Sequence, residues 1–437
     1  MANEFRIKNG FFSEGNSEVT GSLKVTAGIT GSLFGTATTA SYAVTASYVL
    51  SATPSFPFTG SAQITGSLGV TGSITTSGSA GTINRLFIGL GTGNVATNIS
   101  IGATTAFSST MSGTNNTAIG QYSLLANTSG IDNTAIGLRA LRYNTSGGGN
   151  AAIGRYALCA NTTGTNNIAI GQNSVQRNTS GVHNVGLGLS ALYNNTTGCG
   201  NIALSRNALV SNTTGCDNVA IGRYGQVANS TGCHNISIGL NALRCTTTSH
   251  NIAIGRRAAT ATTTGTHNTA IGTYAMLTNT TGANNVAVGR YTLQNNTTGY
   301  ENVAIGAYTS CCNNIGCRNV AIGSRTSRLS RVLSTSVTMG AFSSYCLEGS
   351  DNVAIGVSSM GALSASFSSV GIGSGAHRYG RFSFQNTAIG LAALTGTPTA
   401  NNSYNVAIGP NTLRCVASGS CNVAIGSYAS RNAVSQC

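Results

Sequence analysis

The chain has 437 residues and a formal net charge of +14, yet only 7% of its residues are charged and 58 are glycine. Ordinary globular domains carry roughly 25% charged residues, so the balance excludes a typical enzyme domain. The hydrophobic fraction of 41% is placed periodically, which excludes disorder as well.

The N-terminus, Met1 to Lys8, has no apolar h-region, so classical secretion is not expected. No stretch approaches a membrane span, and Val434 to Cys437 offers no anchor. Residues 1–80 carry two short repeats: Thr20-Gly21-Ser22-Leu23, Thr30-Gly31-Ser32-Leu33, Thr65-Gly66-Ser67-Leu68 and Thr71-Gly72-Ser73-Ile74, then Thr39-Ala40-Ser41-Tyr42 and Thr45-Ala46-Ser47-Tyr48. These read as β segments too short to bury a core alone, to be completed by sister chains or a larger partner. Pro54 and Pro57 suit a joint between the two blocks. Residues 81–101 read as an irregular lead-in turn.

From residue 102 to residue 437 a seventeen-residue unit recurs, typified by Asn167-Ile168-Ala169-Ile170-Gly171, Ser174-Val175 and Asn178-Thr179-Ser180-Gly181. Its closing glycine falls at Gly120, Gly137, Gly154, Gly171 and Gly188; Ser205 takes the next slot, followed by Gly222 and Gly239. Sixteen-residue steps lead to Gly255 and Gly356, and a nineteen-residue interval to Gly409. So strict a period predicts an all-β, elongated parallel β-solenoid of about twenty turns, a rod of roughly 95 Å at the usual strand spacing. A lone turn orders seventeen residues at roughly 1–2 kcal/mol each and buries few apolar side chains, so its stability must come from stacking. Ile168 and Ile170 share one strand face and Ala169 and Gly171 the other. The reading that follows puts Ile in the core and turns Ala and Gly toward a sister chain. Ala157-Leu158 reads as a second short strand, and Asn-Thr-Thr-Gly as a corner whose glycine takes positive φ. Irregularities fall at 325–350 and 396–404, where rigid turns give way to surfaces suited to recognition.

Arg155, Arg206, Arg223, Arg256 and Arg290 follow the closing small residue directly, in a slot shared with Leu138, Leu189 and Leu240. They read either as the rim of an interchain contact or as an anion-binding stripe for an acidic glycan. The arginines are spread over many turns without a reading helix or a stacking platform, so nucleic acid is not an expected partner. His183, His234, His250 and His267 share a corner slot; the last three fall in successive turns and are weak metal candidates in what reads mainly as an exposed turn. Cys199, Cys216 and Cys233 form a parallel row, read as semi-buried filler or as one disulfide that leaves the third thiol out. The twelve cysteines contain no zinc-module CxxC pairs, and no cofactor is expected. The eight carboxylates are scattered; Glu348 and Asp351 are close in sequence but read as a solvated loop, not as the opposed pair of a glycosidase. Thr pairs such as Thr162-Thr163 and Thr213-Thr214 raise ice binding as a minor alternative.

The Asn-Thr-Ala-Ile-Gly, Ala-Leu, Asn-Thr-Thr-Gly unit resembles the repeats of bacteriophage tail-fibre and adhesin proteins. It is also similar to the shorter Ala-Ile-Gly head repeats of trimeric autotransporter adhesins, although the signal peptide and C-terminal membrane barrel of that branch are not read here. The resemblance covers about residues 102–437 and is more specific for architecture than for function. It implies a non-enzymatic, homotrimeric, receptor-binding fibre of the virion tail. In that picture residues 1–80 attach to baseplate or tail proteins, the rod meets an anionic host surface glycan, and nothing inserts into a membrane. A polysaccharide depolymerase with an interchain site and a structural filament without a receptor are the alternatives.

Overall fold

The computed structural model describes residues 88–89, 97–102, 112–416 and 419–430. The chain divides into a unit Met1–Ile74 and a unit Thr75–Cys437, and the described residues belong to the second. The short repeats and attachment role expected of residues 1–80, and most of the lead-in turn, lie outside the described residues.

Three-residue strands, one per turn, stack in parallel and in register. Ile168–Ile170 pairs with Ala151–Ile153 on one side and Val185–Leu187 on the other. The parallel ladder runs from Ile99–Ile101 to Val423–Ile425, with Ile88–Gly89 antiparallel at its start. Ile236–Ile238 stays in register with Ile252–Ile254 across the first sixteen-residue step, so the missing residue is absorbed in the corner. The all-β parallel solenoid of about twenty turns is therefore present.

The strand faces are the reverse of the expectation. Ala169 is fully buried inside the coil, whereas Ile168 and Ile170 are 40% and 42% exposed. Alternation identifies residues that share a side but not which side is inside, and here the inner strand position holds small residues: Ala, Gly, Ser or, at position 338, Thr. At Gly186, which occupies the alanine slot, even an added Cβ would come within 2.6 Å of Ser174 and Val175. The core is a column of alanines alternating with leucines such as Leu158, Leu192 and Leu209, all without solvent exposure.

Those leucines do not lie on a second strand. They occupy turns with positive φ, 47° at Leu158 and 52° at Leu192. Such a conformation costs of order 1–3 kcal/mol and persists only where its surroundings impose it; fully burying a leucine returns a similar amount. The corner glycines also differ from expectation. Positive φ belongs to the strand-closing residue, 127° at Gly171 and 122° at Ser205. The glycine of Asn-Thr-Thr-Gly is required by space, since a Cβ on Gly164 would sit 2.4 Å from the Gly181 carbonyl oxygen.

Asparagine, which reads in the sequence as a turn former, is a core residue. Asn167 before the strand donates its backbone N–H and Nδ2 to Asn150 Oδ1 at 3.0 and 3.1 Å and its second Nδ2 hydrogen to Gly181 O at 2.8 Å. Its own Oδ1 receives the same pair of bonds from Asn184. This column continues through Asn201, Asn218 and Asn235. A second column runs through the Asn-Thr-Thr-Gly corners, where Asn161 bridges Asn144 Oδ1 at 2.7 Å and Gly164 O at 2.9 Å. The first threonine of each corner turns its hydroxyl to the next turn's carbonyl, as Thr162 does to Thr179 O at 3.0 Å, leaving the second one exposed. That removes half of the hydroxyl rows an ice-binding face requires.

Near the C-terminus the corner opens into a second parallel sheet of six strands, including Glu348–Ser350, Ala362–Phe367, Tyr379–Phe384 and Asn401–Ser403. Parts of the segments expected to be irregular loops, residues 348–350 and 401–403, are strands of this sheet.

Replacing Asn184 by alanine leaves the buried Asn201 backbone N–H without its acceptor and takes one bond each from Asn167 Oδ1, the Gly198 carbonyl and Asn201 Nδ2, which keep a second partner. The expected loss is about 1–3 kcal/mol for each buried group left unsatisfied. Thr163→Ala on the exposed corner should lie within about 0.5 kcal/mol of the parent. Urea unfolding of the two variants makes the comparison.

Candidate functional site

Each turn leaves the ladder through its closing glycine into an exposed corner, so the next two residues of every unit form rows along the coil. The first row carries Arg155, Arg206, Arg223, Arg256 and Arg290, all exposed. The second supplies tyrosines that hold four of these guanidinium groups: Arg155 lies 5.0 Å from the Tyr156 ring centre, Arg223 4.9 Å from Tyr224, Arg256 5.7 Å from Tyr274 and Arg290 4.7 Å from Tyr291. Tyr274, Tyr291 and Tyr308 stack at 5.1 and 5.0 Å, with Arg328 5.2 Å from the Tyr308 ring. Stacking covers the inner ring faces, so the row presents ring edges, hydroxyls and guanidinium groups. Cation–π contact of this kind contributes about 0.5–1 kcal/mol per exposed pair and restrains the long arginine side chain. The sequence reading found the arginine row and missed its tyrosine partners, although both recur at the repeat period.

The carboxylates lie elsewhere on the coil. Glu301 bonds Arg318 at 3.0 Å, Asp217 lies 3.7 Å from His234, and Asp132 accepts from Asn115. The arginine row is thus set apart from the carboxylates in the described residues. It follows the outward isoleucine column directly, which places it at the border of that apolar face.

His234, His250 and His267 are brought together, with ring centres 5.1 and 4.8 Å apart and the latter pair within 2° of parallel. Stacked rings line their nitrogens up in a row instead of aiming them at a common point. Among the described residues no group of three or more His, Cys, Asp or Glu is arranged to hold a metal ion. His183 lies further along the same slot, 3.4 Å from Asn166.

Cys199, Cys216 and Cys233 also come together, one turn apart and half-buried. The Cys199 and Cys216 sulfurs are 2.8 Å apart, and the backbone N–H of each of Cys199 and Cys216 points at the next turn's sulfur at 3.1 Å. The hydrogen bond to Cys216 is the main cause pushing the Cys199 thiol up to about 11. Burial raises the thiols of Cys159 and Cys346, and takes Cys311 up to about 11 with the help of neighbouring Cys312.

Glu348 lines a shallow hollow of about 350 Å³ together with Val332, Ser334, Ser350 and Phe367, while Asp351 accepts a hydrogen bond from Ser350 at 2.8 Å. His377, which the sequence reading did not single out, fills a core leucine slot. It is fully buried, with Nε2 3.0 Å from Ser383 Oγ.

No protein-family model matches the chain, and no curated protein is found to resemble its sequence. Among the described residues no helix is long and apolar enough to cross a membrane.

Burial lowers His377 from 6.5 to about 4. In the folded chain the imidazole is neutral while the unfolded chain takes up a proton, so stability is expected to fall as pH drops from about 6.5 to about 4. His377→Leu should flatten that slope, measured as the thermal midpoint across this window.

Proposed function

We propose that this chain is the shaft of an elongated, self-associating adhesive fibre, of the kind represented by bacteriophage tail fibres, that attaches to an anionic host surface glycan without cleaving it. The observation that carries the reading is the outward face of the main sheet. At the third strand position Ile101, Ile119, Ile136, Ile153, Ile170, Leu187 and Leu204 begin a column that stays apolar through Ile408 and Ile425. Ile153, Ile221, Ile271 and Ile305 within it are 37–39% exposed. A contiguous apolar face repeated over twenty parallel strands extends well beyond the roughly 300–600 Å² patch usual on a monomer. Copies of the same chain supply a surface with the same repeat, and closed symmetry lets each copy use the same face. The number three rests on the resemblance to trimeric fibres. The interchain face is then Ile and Val, in place of the Ala and Gly inferred from the sequence, with the arginine row at its rim.

The rim arginines, held off by tyrosines and bordered by few carboxylates, supply the positive charge for an acidic glycan. Incubating the assembled chain with an acidic capsule or lipopolysaccharide and sizing the glycan separates the readings: binding without shortening supports the fibre, and shortened chains support a depolymerase.

Introducing Ile238→Lys and Ile271→Lys together should convert the oligomer to a folded monomer, seen by sedimentation with unchanged circular dichroism. A parent chain that sediments as a monomer at micromolar concentration would remove the proposed assembly.

A further inference from the structure

We propose that Cys199 and Cys216 are a thiol pair that closes into an axial disulfide stapling two successive turns when the protein leaves a reducing compartment, with Cys233 remaining outside the bond. The row contains two candidate pairs related by the same repeat step, and the structure distinguishes them. The Cys199 sulfur is turned along the axis onto the Cys216 sulfur at 2.8 Å. The Cys216 and Cys233 sulfurs instead face carbonyl oxygens of their own corners, Thr214 O and Thr231 O, each at 3.5 Å. Bond formation needs the first pair to close to about 2.05 Å, a small movement of the two side chains. Gly198 and Gly200 flank Cys199, and Gly200 already holds φ at 64°. All three thiols are half-buried, within reach of a small oxidant.

The co-reactant is a low-molecular-weight disulfide such as oxidised glutathione. A thiolate of the pair opens it, forming a mixed disulfide and releasing one reduced glutathione; the partner thiolate then displaces the second. The two protein thiols are oxidised, one glutathione disulfide is reduced, and the two protons end on the two glutathione thiols.

The staple sits beside an interruption in the core. Over the next three turns Gln226 takes a leucine slot, Ser237 an alanine slot, and Thr246 and Thr262 the corner asparagine slot, the threonine hydroxyls being buried without a partner. The corner asparagine column stops here as well, leaving Asn212 Oδ1 unbonded. A covalent link at residues 199–216 thus fastens turns that adjoin an interruption of the repeat.

The test uses the full native chain, equilibrated with oxidised glutathione, alkylated, denatured and digested with trypsin. Arg177, Arg206, Arg223 and Arg244 bound the segments, so each cysteine falls on its own peptide. The expected result is a cross-linked species of peptides 178–206 and 207–223, lighter by two hydrogens than their sum, with peptide 224–244 recovered alkylated or glutathionylated. Oxidation should also raise the thermal midpoint, reversibly with dithiothreitol. Cys233→Ser should keep both effects. Cys216→Ser should abolish both, since the remaining thiols are two turns apart, about 9.6 Å, beyond bridging range. A link between Cys216 and Cys233, links between chains, or three alkylated thiols under the same oxidation would each overturn the proposal.

Discussion

Most turns of this coil depend on a buried amide being answered by an identical amide one turn away. An asparagine side chain has two donors and an acceptor with two lone pairs, and burying any of these groups unbonded costs about 1–3 kcal/mol. Stacked in register, Asn150, Asn167 and Asn184 satisfy one another and also bond the corner carbonyls Gly164, Gly181 and Gly198. The arrangement works only if the repeat is strict: a turn out of register would strand several polar groups at once. Strict periodicity, narrow bore and small core residues are consequences of the same constraint. Where Asn is replaced, Ser336 and Ser369 keep the column going: their backbone N–H groups donate to Asn319 Oδ1 and Asn352 Oδ1, and their hydroxyl oxygens accept from the backbone N–H groups of Asn352 and Asn386.

A narrow interior leaves the β-branched strand residues on the outside. With alanine, leucine and asparagine filling the bore, Ile, Val and Leu at the outer strand positions make an exposed apolar face. The arginine and tyrosine rows follow from the same geometry, because a residue placed once per turn becomes a row with a spacing near 5 Å. Side chains in such a coil fall in rows: a stripe of charge, a stack of imidazoles, a file of thiols. The rows of Cys199 to Cys233 and His234 to His267 both adjoin the segment in which Gln226, Thr246 and Thr262 weaken the interior.

Much of the architecture was legible in the sequence because periodicity reports stacking directly. The seventeen-residue step gave the parallel solenoid, the turn count, and the fact that His234, His250 and His267 are neighbours. Inside and outside were not legible. Burying the larger side chain is the usual rule, but bore width decides the matter, and it becomes visible only in the space around Gly186. Asparagine beside Thr and Gly is read as a turn because its local hydrogen bonds favour turns; that Asn161 makes such a bond and also spans two turns is a property of the stack. Leu158 on a turn with positive φ runs against local preference and is imposed by its neighbours. The C-terminal sheet did have a signal, the apolar and aromatic residues of Ala362–Phe367 and Tyr379–Phe384, which the dominant repeat obscured. His377 was hidden because a single histidine in a leucine slot carries no local mark.

The account stands on asparagine amides being interior, mutually bonded groups. Hydrogen exchange of the side-chain amides in protein labelled with nitrogen-15 at asparagine alone addresses this directly by NMR. Asn150, Asn167, Asn184 and Asn201 should exchange as slowly as the backbone amides of the strands they precede, while exposed Asn166 and Asn284 exchange rapidly. Rapid exchange across all of them, at rates typical of surface amides, would contradict it.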